Sequence, residues 1–120
     1  MALTIEEMVQ RVGEDLSLVP IGQALESQDS LRIQASYNEV YDRIKNKGYA
    51  IWPLAGDIPN AIVPYLALII EEKLLVSYSV SEARYNRIKM AAGENGEIAL
   101  TQLGEAVLNE YDSIEDNEDY

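Results

Sequence analysis

An all-α fold is predicted for this chain: a small bundle of about four helices followed by an extended acidic tail. Apolar residues recur at helical spacing through most of positions 1–109, and capping residues stand where those runs begin. The end, EYDSIEDNEDY from Glu110 to Tyr120, holds six carboxylates and no cation, so like-charge repulsion is expected to keep it extended until a partner orders it. At 120 residues the chain is one domain in size, read as a helical domain over 1–109 and a tail over 110–120. A hydrophobic share of 48% beside a charged share of 25% is the balance of a globular protein that builds a core, not of a disordered one.

The first helix opens at Thr4. Its hydroxyl can accept from the Glu7 amide while the Glu7 carboxylate reaches back to the Thr4 amide, a capping box, with Leu3 and Met8 at the staple positions. Ile5, Met8, Val9, Val12 and Leu16 share one face, which predicts a helix from Ile5 to about Ser17. Leu18 to Gln28 carries Pro20 and Gly22 and reads as a connector. A second helix takes Asp29 as its cap and runs to about Asn46. Ile33, Tyr37, Val40, Tyr41 and Ile44 face inward, Lys45 and Lys47 lie near its negative end, and Gly48 stops it.

Gly48 to Leu75, GYAIWPLAGDIPNAIVPYLALIIEEKLL, holds the one Trp and three of the four prolines. Trp52, Pro53, Ile58 and Pro59 read as a rigid corner between helices. The apolar run Ala61 to Ile70 rises only about 15 Å as a helix, half the hydrocarbon core of a bilayer, so it does not span a membrane. Pro64 would remove a ladder donor from a central strand. A helix remains, with Asp57 or Asn60 as cap, Pro59 in its first turn, Pro64 early in it or kinking it, and its end near Tyr78. Because the run is apolar all round, it must be surrounded, by its own domain or by a neighbouring subunit. Ser79-Val80-Ser81-Glu82 predicts a second capping box and a helix through Ile88 to at least Ala92. Gly93 and Asn95-Gly96 leave open whether that helix continues; Ile98, Leu103, Val107 and Leu108 predict more helix, to about Asn109.

The chain has no cysteine and no histidine, which removes disulfides, thiol nucleophiles, imidazole bases and the usual zinc ligands. The N-terminus lacks the basic and apolar regions of a secretory signal, and a reducing cytoplasm is the expected place of folding. Gly93-Glu94-Asn95-Gly96 has neither the lysine nor the preceding strand of a phosphate loop. Neighbouring carboxylates at Glu6-Glu7, Glu14-Asp15 and Glu71-Glu72 diverge by about 100° on a helix, so they read as solvated faces and not as a catalytic pair. Asp112, Glu115, Asp116, Glu118 and Asp119 lack the spacing and central Gly of an EF-hand loop. No catalytic residue, cofactor or metal is expected.

A formal net charge of -12 argues against sequence-directed DNA binding, which needs a basic surface. All nine basic residues lie between Arg11 and Lys89, and nine of the 21 acidic residues follow Lys89. The basic clusters, Arg43 with Lys45 and Lys47, and Arg84 with Arg87 and Lys89, read first as solvated helix faces. In the tail, Tyr111, Ile114 and Tyr120 interrupt the charge with apolar anchors, the pattern of a docking peptide that orders on binding.

In chain order, a helix ending in Gly48-Tyr49, the aromatic-proline stretch Ile51-Trp52-Pro53-Leu54, the Ile-Pro start Asp57-Ile58-Pro59-Asn60-Ala61-Ile62, the Ala/Leu-rich Tyr65-Leu66-Ala67-Leu68-Ile69-Ile70 and the capped Ser79-Val80-Ser81-Glu82 resemble the head-to-tail adaptor family of short-tailed bacteriophages. These are also called tail accessory factors or packaged-DNA stabilisation proteins. The resemblance spans roughly Met1 to Leu103. Gly93 and Gly96 depart from the family's more regular, Ala-rich final helix.

The resemblance implies a structural virion protein, located between head and tail. It implies a homo-oligomeric ring, commonly a dodecamer, that binds the portal protein, extends the channel through which packaged DNA passes without sequence-specific binding, and supports the tail nozzle and fibres. The family's C-terminal segment reaches the portal, which gives Tyr111, Ile114, Glu115, Asp116 and Tyr120 a receptor. A ring contact is head-to-tail, so each subunit needs two complementary faces, one of them expected to carry Arg43, Lys45 and Lys47. Two other classes remain. One is an acidic helical regulator or DNA mimic that binds a basic protein; the other is a cell-wall hydrolase, which requires two carboxylates facing one cleft.

Overall fold

A computed structural model describes the backbone of residues 2–118 and the side chains of residues 2–110. It is an all-α bundle of helices α1 (Ile5–Asp15), α2 (Ser27–Asn46), α3 (Val63–Leu74), α4 (Glu82–Ala92) and α5 (Glu97–Glu118). Two-residue strands β1 (Ala2–Leu3) and β2 (Ile58–Pro59) pair antiparallel, Ala2 opposite Pro59 and Leu3 opposite Ile58. Helix α3 packs against the other four, and its Val63, Leu66, Ala67, Ile69, Ile70 and Leu74 are buried. The apolar run is therefore covered by the chain's own helices, and its composition no longer argues for a subunit contact. Among the described residues no helix is long and apolar enough to cross a membrane.

Helix α1 begins as its local sequence dictates. The Glu7 amide donates to Thr4 Oγ1 and the Thr4 amide to Glu7 Oε1, each at 3.1 Å, and Met8, Val9, Val12 and Leu16 are buried. Capping elsewhere is not where the sequence puts it. Helix α2 starts at Ser27, with Glu26 at the cap position and no side-chain cap bond. Asp29 lies inside its first turn, where a carboxylate favours the helix dipole, and accepts instead from Tyr78 Oη at 2.9 Å. The Arg32 guanidinium sits 5.4 Å from the same ring, so Tyr78 ties the segment after α3 to α2.

Pro59 is a strand residue, not a first-turn helix residue. Helix α3 starts later, after Ile62, without a cap from Asp57 or Asn60; Pro64 sits in its first turn, where its missing donor costs no helix bond. At α4 the cap is Ser81, whose Oγ accepts from the Arg84 amide at 3.2 Å. The box expected between Ser79 and Glu82 does not form, because Glu82 is itself the first helical residue.

Gly93 answers whether the last helix is continuous. It has φ 80° and ψ 173°, Asn95 has φ 56°, and a 3-10 turn over Glu94–Gly96 redirects the chain into α5. A Cβ at Gly93 would lie 2.6 Å from Ile98 Cγ1. Gly93→Ala is expected to cost about 1–3 kcal/mol, read as a lower urea midpoint with an unchanged slope. Farther on, α5 passes close over Tyr49 at Gly104, where a Cβ would lie 2.6 Å from the Tyr49 ring. The helix then continues beyond Asn109 to Glu118, so the backbone of residues 110–118 is helical where like-charge repulsion predicted extension. A helix already nucleated gains one bond for each residue it adds, which offsets like-charge repulsion along the segment.

Candidate functional site

The corner is built from two tyrosines of α2. Tyr41 Oη donates to the Trp52 carbonyl at 2.6 Å, Trp52 Nε1 donates to Tyr37 Oη at 3.0 Å, and Tyr37 Oη donates to the Leu54 carbonyl at 3.1 Å. The Tyr41 and Trp52 rings meet edge to face, 5.4 Å between centroids. Burial pushes the Tyr37 phenol above its ordinary pKa, with the Trp52 hydrogen bond acting the other way. Trp52 and Ile58 are buried, Pro59 is half-buried and Pro53 is exposed. These residues fix the path between α2 and α3, and every polar group of the aromatic set has a partner.

Of Arg43, Lys45 and Lys47, the first is bonded within the chain. Arg43 Nη1 donates to the Asn95 carbonyl at 2.6 Å and Nη2 pairs with Glu97 Oε1 at 2.9 Å, holding the α4–α5 turn against α2. Lys45 and Lys47 are exposed. Charge reversal at Arg43 therefore breaks bonds inside the chain as well as altering the surface. The second basic set is similarly committed. Lys89 Nζ bonds Glu72 Oε2 at 2.7 Å, and Arg84 donates to the Asp15 carbonyl.

Glu71 is the residue that the sequence reading misplaced. It is not on a solvated face: only 4% of it is exposed, on the stripe of α3 that also carries Ala67 and Leu74. Its Oε2 is buried and has no hydrogen-bond partner. Burial first, and then the neighbouring Asp15 carboxyl at the end of α1, pushes Glu71 up to about 9, against the pull of Arg11 and Arg87. Glu72, next to it, is mostly buried in its bond to Lys89. The spacing 67, 71, 74 was the available signal: an acid at i+4 and i−3 from core residues belongs to the core stripe.

The carboxyl pair could form a catalytic acid and base only if a substrate reached both. A cleft of about 360 Å³ beside it is lined by Asp15, Arg84, Arg87 and Ile21, but not by Glu71. Asp15 opens onto that cleft and the buried Glu71 does not, so these two carboxyls do not face one cleft as a hydrolase requires. Among the described residues no group of three His, Cys, Asp or Glu side chains could hold a metal ion. Tyr111, Ile114, Glu115 and Asp116 occupy successive turns of the α5 backbone, and their side chains lie outside the described residues, as does the whole of Tyr120. Comparisons with protein families, with curated proteins and with solved structures returned no match.

Proposed function

We propose that this chain is a ring-forming adaptor between the portal and the tail of a short-tailed phage. Its subunits would line an extended DNA channel and carry the tail nozzle and fibres. The observation that supports this most is the course of α5. It passes over Tyr49 at Gly104 and continues as helix to Glu118, eleven residues beyond Val107, so the backbone of the acidic, Tyr- and Ile-bearing segment prolongs one helix of the bundle. Such an end suits docking to the portal, as the family resemblance implies. The resembling stretches also fall on consecutive parts of one unit, the α2 exit, the corner, α3 and the cap of α4, arranged around α3. A net charge of -12 suits a channel that must let DNA pass, because a basic lining would hold phosphates.

The same charge also favours the second reading, an acidic helical protein that binds a basic partner as a DNA mimic. Electron microscopy of virions, and of the protein mixed with portal, separates the two. The adaptor reading expects a ring beneath the portal, and absence of the chain from virions ends it. Deletion of Asp112 to Tyr120 is expected to weaken portal binding at least tenfold in a pull-down titration. Unchanged affinity would remove the docking role of the tail while leaving the ring open to test.

A further inference from the structure

The cleft of about 360 Å³ at the end of α1 brings positive charge together with apolar surface. Val19, Pro20 and Ile21 of the loop line it with Arg84 and Arg87 of α4, and Ile21 is 89% exposed. The carboxylates in its lining are already answered. Glu14 Oε2 accepts from the Gly22 amide at 3.0 Å and from Gln10 Nε2 at 2.9 Å, and the Asp15 carboxylate lies 3.8 Å from Arg11 Nε. Arg84 spends one donor on the Asp15 carbonyl. Arg87 is exposed and makes no ion pair among the described residues. Guanidinium groups beside an apolar lining suit an acidic ligand that carries an apolar anchor.

The chain holds such a ligand itself. Glu110 to Tyr120 has six carboxylates and no cation, with Tyr111, Ile114 and Tyr120 set among them. Tyr111 and Ile114 stand three apart on a helical backbone, a spacing that places two positions on one side of a helix. A copy does not deliver this segment to its own cleft. Glu14 holds Gly22, five residues before α2 begins at Ser27, which sets the cleft at the start of α2. Helix α5 begins against Arg43 and passes Tyr49 at Gly104, so it runs in the same sense as α2 and past its end. The twenty residues of α2 rise about 30 Å, which separates the cleft from the helical acidic segment.

We propose that the acidic segment of one copy seats in the Arg84–Arg87 cleft of a second copy, a head-to-tail contact through which the chain assembles with itself. The cleft admits a side chain the size of Tyr or Ile, and flanking carboxylates meet Arg87 and the donors of Arg84 that the Asp15 carbonyl leaves unused. The two surfaces differ, so each copy gives its segment to one neighbour and its cleft to another, and repetition makes a closed ring or an open chain. Lys45 and Lys47, at the other end of α2, take no part. The contact needs no portal, and a portal that held the same segment would compete with it.

Sedimentation velocity of the full-length protein alone tests the contact. The average mass is expected to rise with protein concentration and to fall again as salt screens the pairing. Arg87→Glu is expected to weaken association about tenfold, and removal of Asp112 to Tyr120 to abolish it. Mixed together, these two variants should form a dimer and nothing larger, because the first supplies only a segment and the second only a cleft. Lys45→Glu combined with Lys47→Glu should assemble as the unaltered chain does. A peptide of residues 110–120 added to the full-length protein should shift the NMR amide signals of Val19, Ile21 and Arg87. A full-length chain that stays monomeric throughout, an Arg87→Glu variant that assembles as before, a mixture that yields no dimer, or peptide shifts centred on Lys45 and Lys47 would each overturn the contact.

Discussion

Replacing Glu71 by glutamine raises the stability of the protein near neutral pH. In the folded chain Glu71 holds its proton up to about pH 9, whereas its ordinary value is 4.5. Below 4.5 both states are protonated and the contribution of the group is fully present. As pH rises from 4.5 to 9 the unfolded chain releases its proton and the folded chain does not, so stability falls by about 1.4 kcal/mol per pH unit from this group. At pH 7 the accumulated cost is on the order of 3 kcal/mol, a large share of the roughly 5–15 kcal/mol that holds a domain of this kind together. Glutamine has no such proton to take up. Urea unfolding of both proteins at pH 5, 6, 7 and 8 reads the effect as a gap that widens with pH, and the difference cancels the titration of every other carboxylate. A gap that stays constant from pH 5 to 8 would show that Glu71 folds ionised.

Trp52→Ala is the second large effect, in the opposite direction. The indole is buried, fills the corner against Tyr41 and supplies the donor that satisfies Tyr37 Oη. Removal of so large a buried side chain costs about 3–5 kcal/mol, from lost burial and the space left behind. Trp52→Phe keeps a ring and loses the indole donor, leaving Tyr37 to donate to Leu54 alone, and should cost about 1–2 kcal/mol. Far-UV circular dichroism during urea unfolding measures both without relying on the one Trp. Equal losses in the two variants would mean that the hydrogen-bonded chain, and not ring burial, carries the corner.

Local signals read well from the sequence, and the reason is distance along the chain. The Thr4–Glu7 box spans three residues and forms as predicted. The Gly48 stop and the inward stripe Ile33, Tyr37, Val40, Tyr41 and Ile44 are equally local, and all are found. Caps failed where a distant partner competed for the same atoms. Asp29 had a hydroxyl available 49 positions away, at Tyr78, and the helix began three residues earlier. Pro59 had a strand partner in Ala2, which no window around the proline contains.

The candidate site shows the same division. Trp52 and its prolines were legible as a corner because aromatic and proline together restrict the chain, although the tyrosines that stitch it came only with the fold. The basic triplet was legible as charge, but Arg43 faces a turn more than fifty residues away and leaves Lys45 and Lys47 on the surface. Periodicity and capping chemistry, which act over three or four residues, set the all-α class, the first two helices and the apolar character of α3. Which elements surround α3, where α3 begins, and the burial of Glu71 were decided by tertiary packing. The environment of Glu71 is made by helices that close around it only on folding, so its raised proton affinity belongs to the folded structure alone.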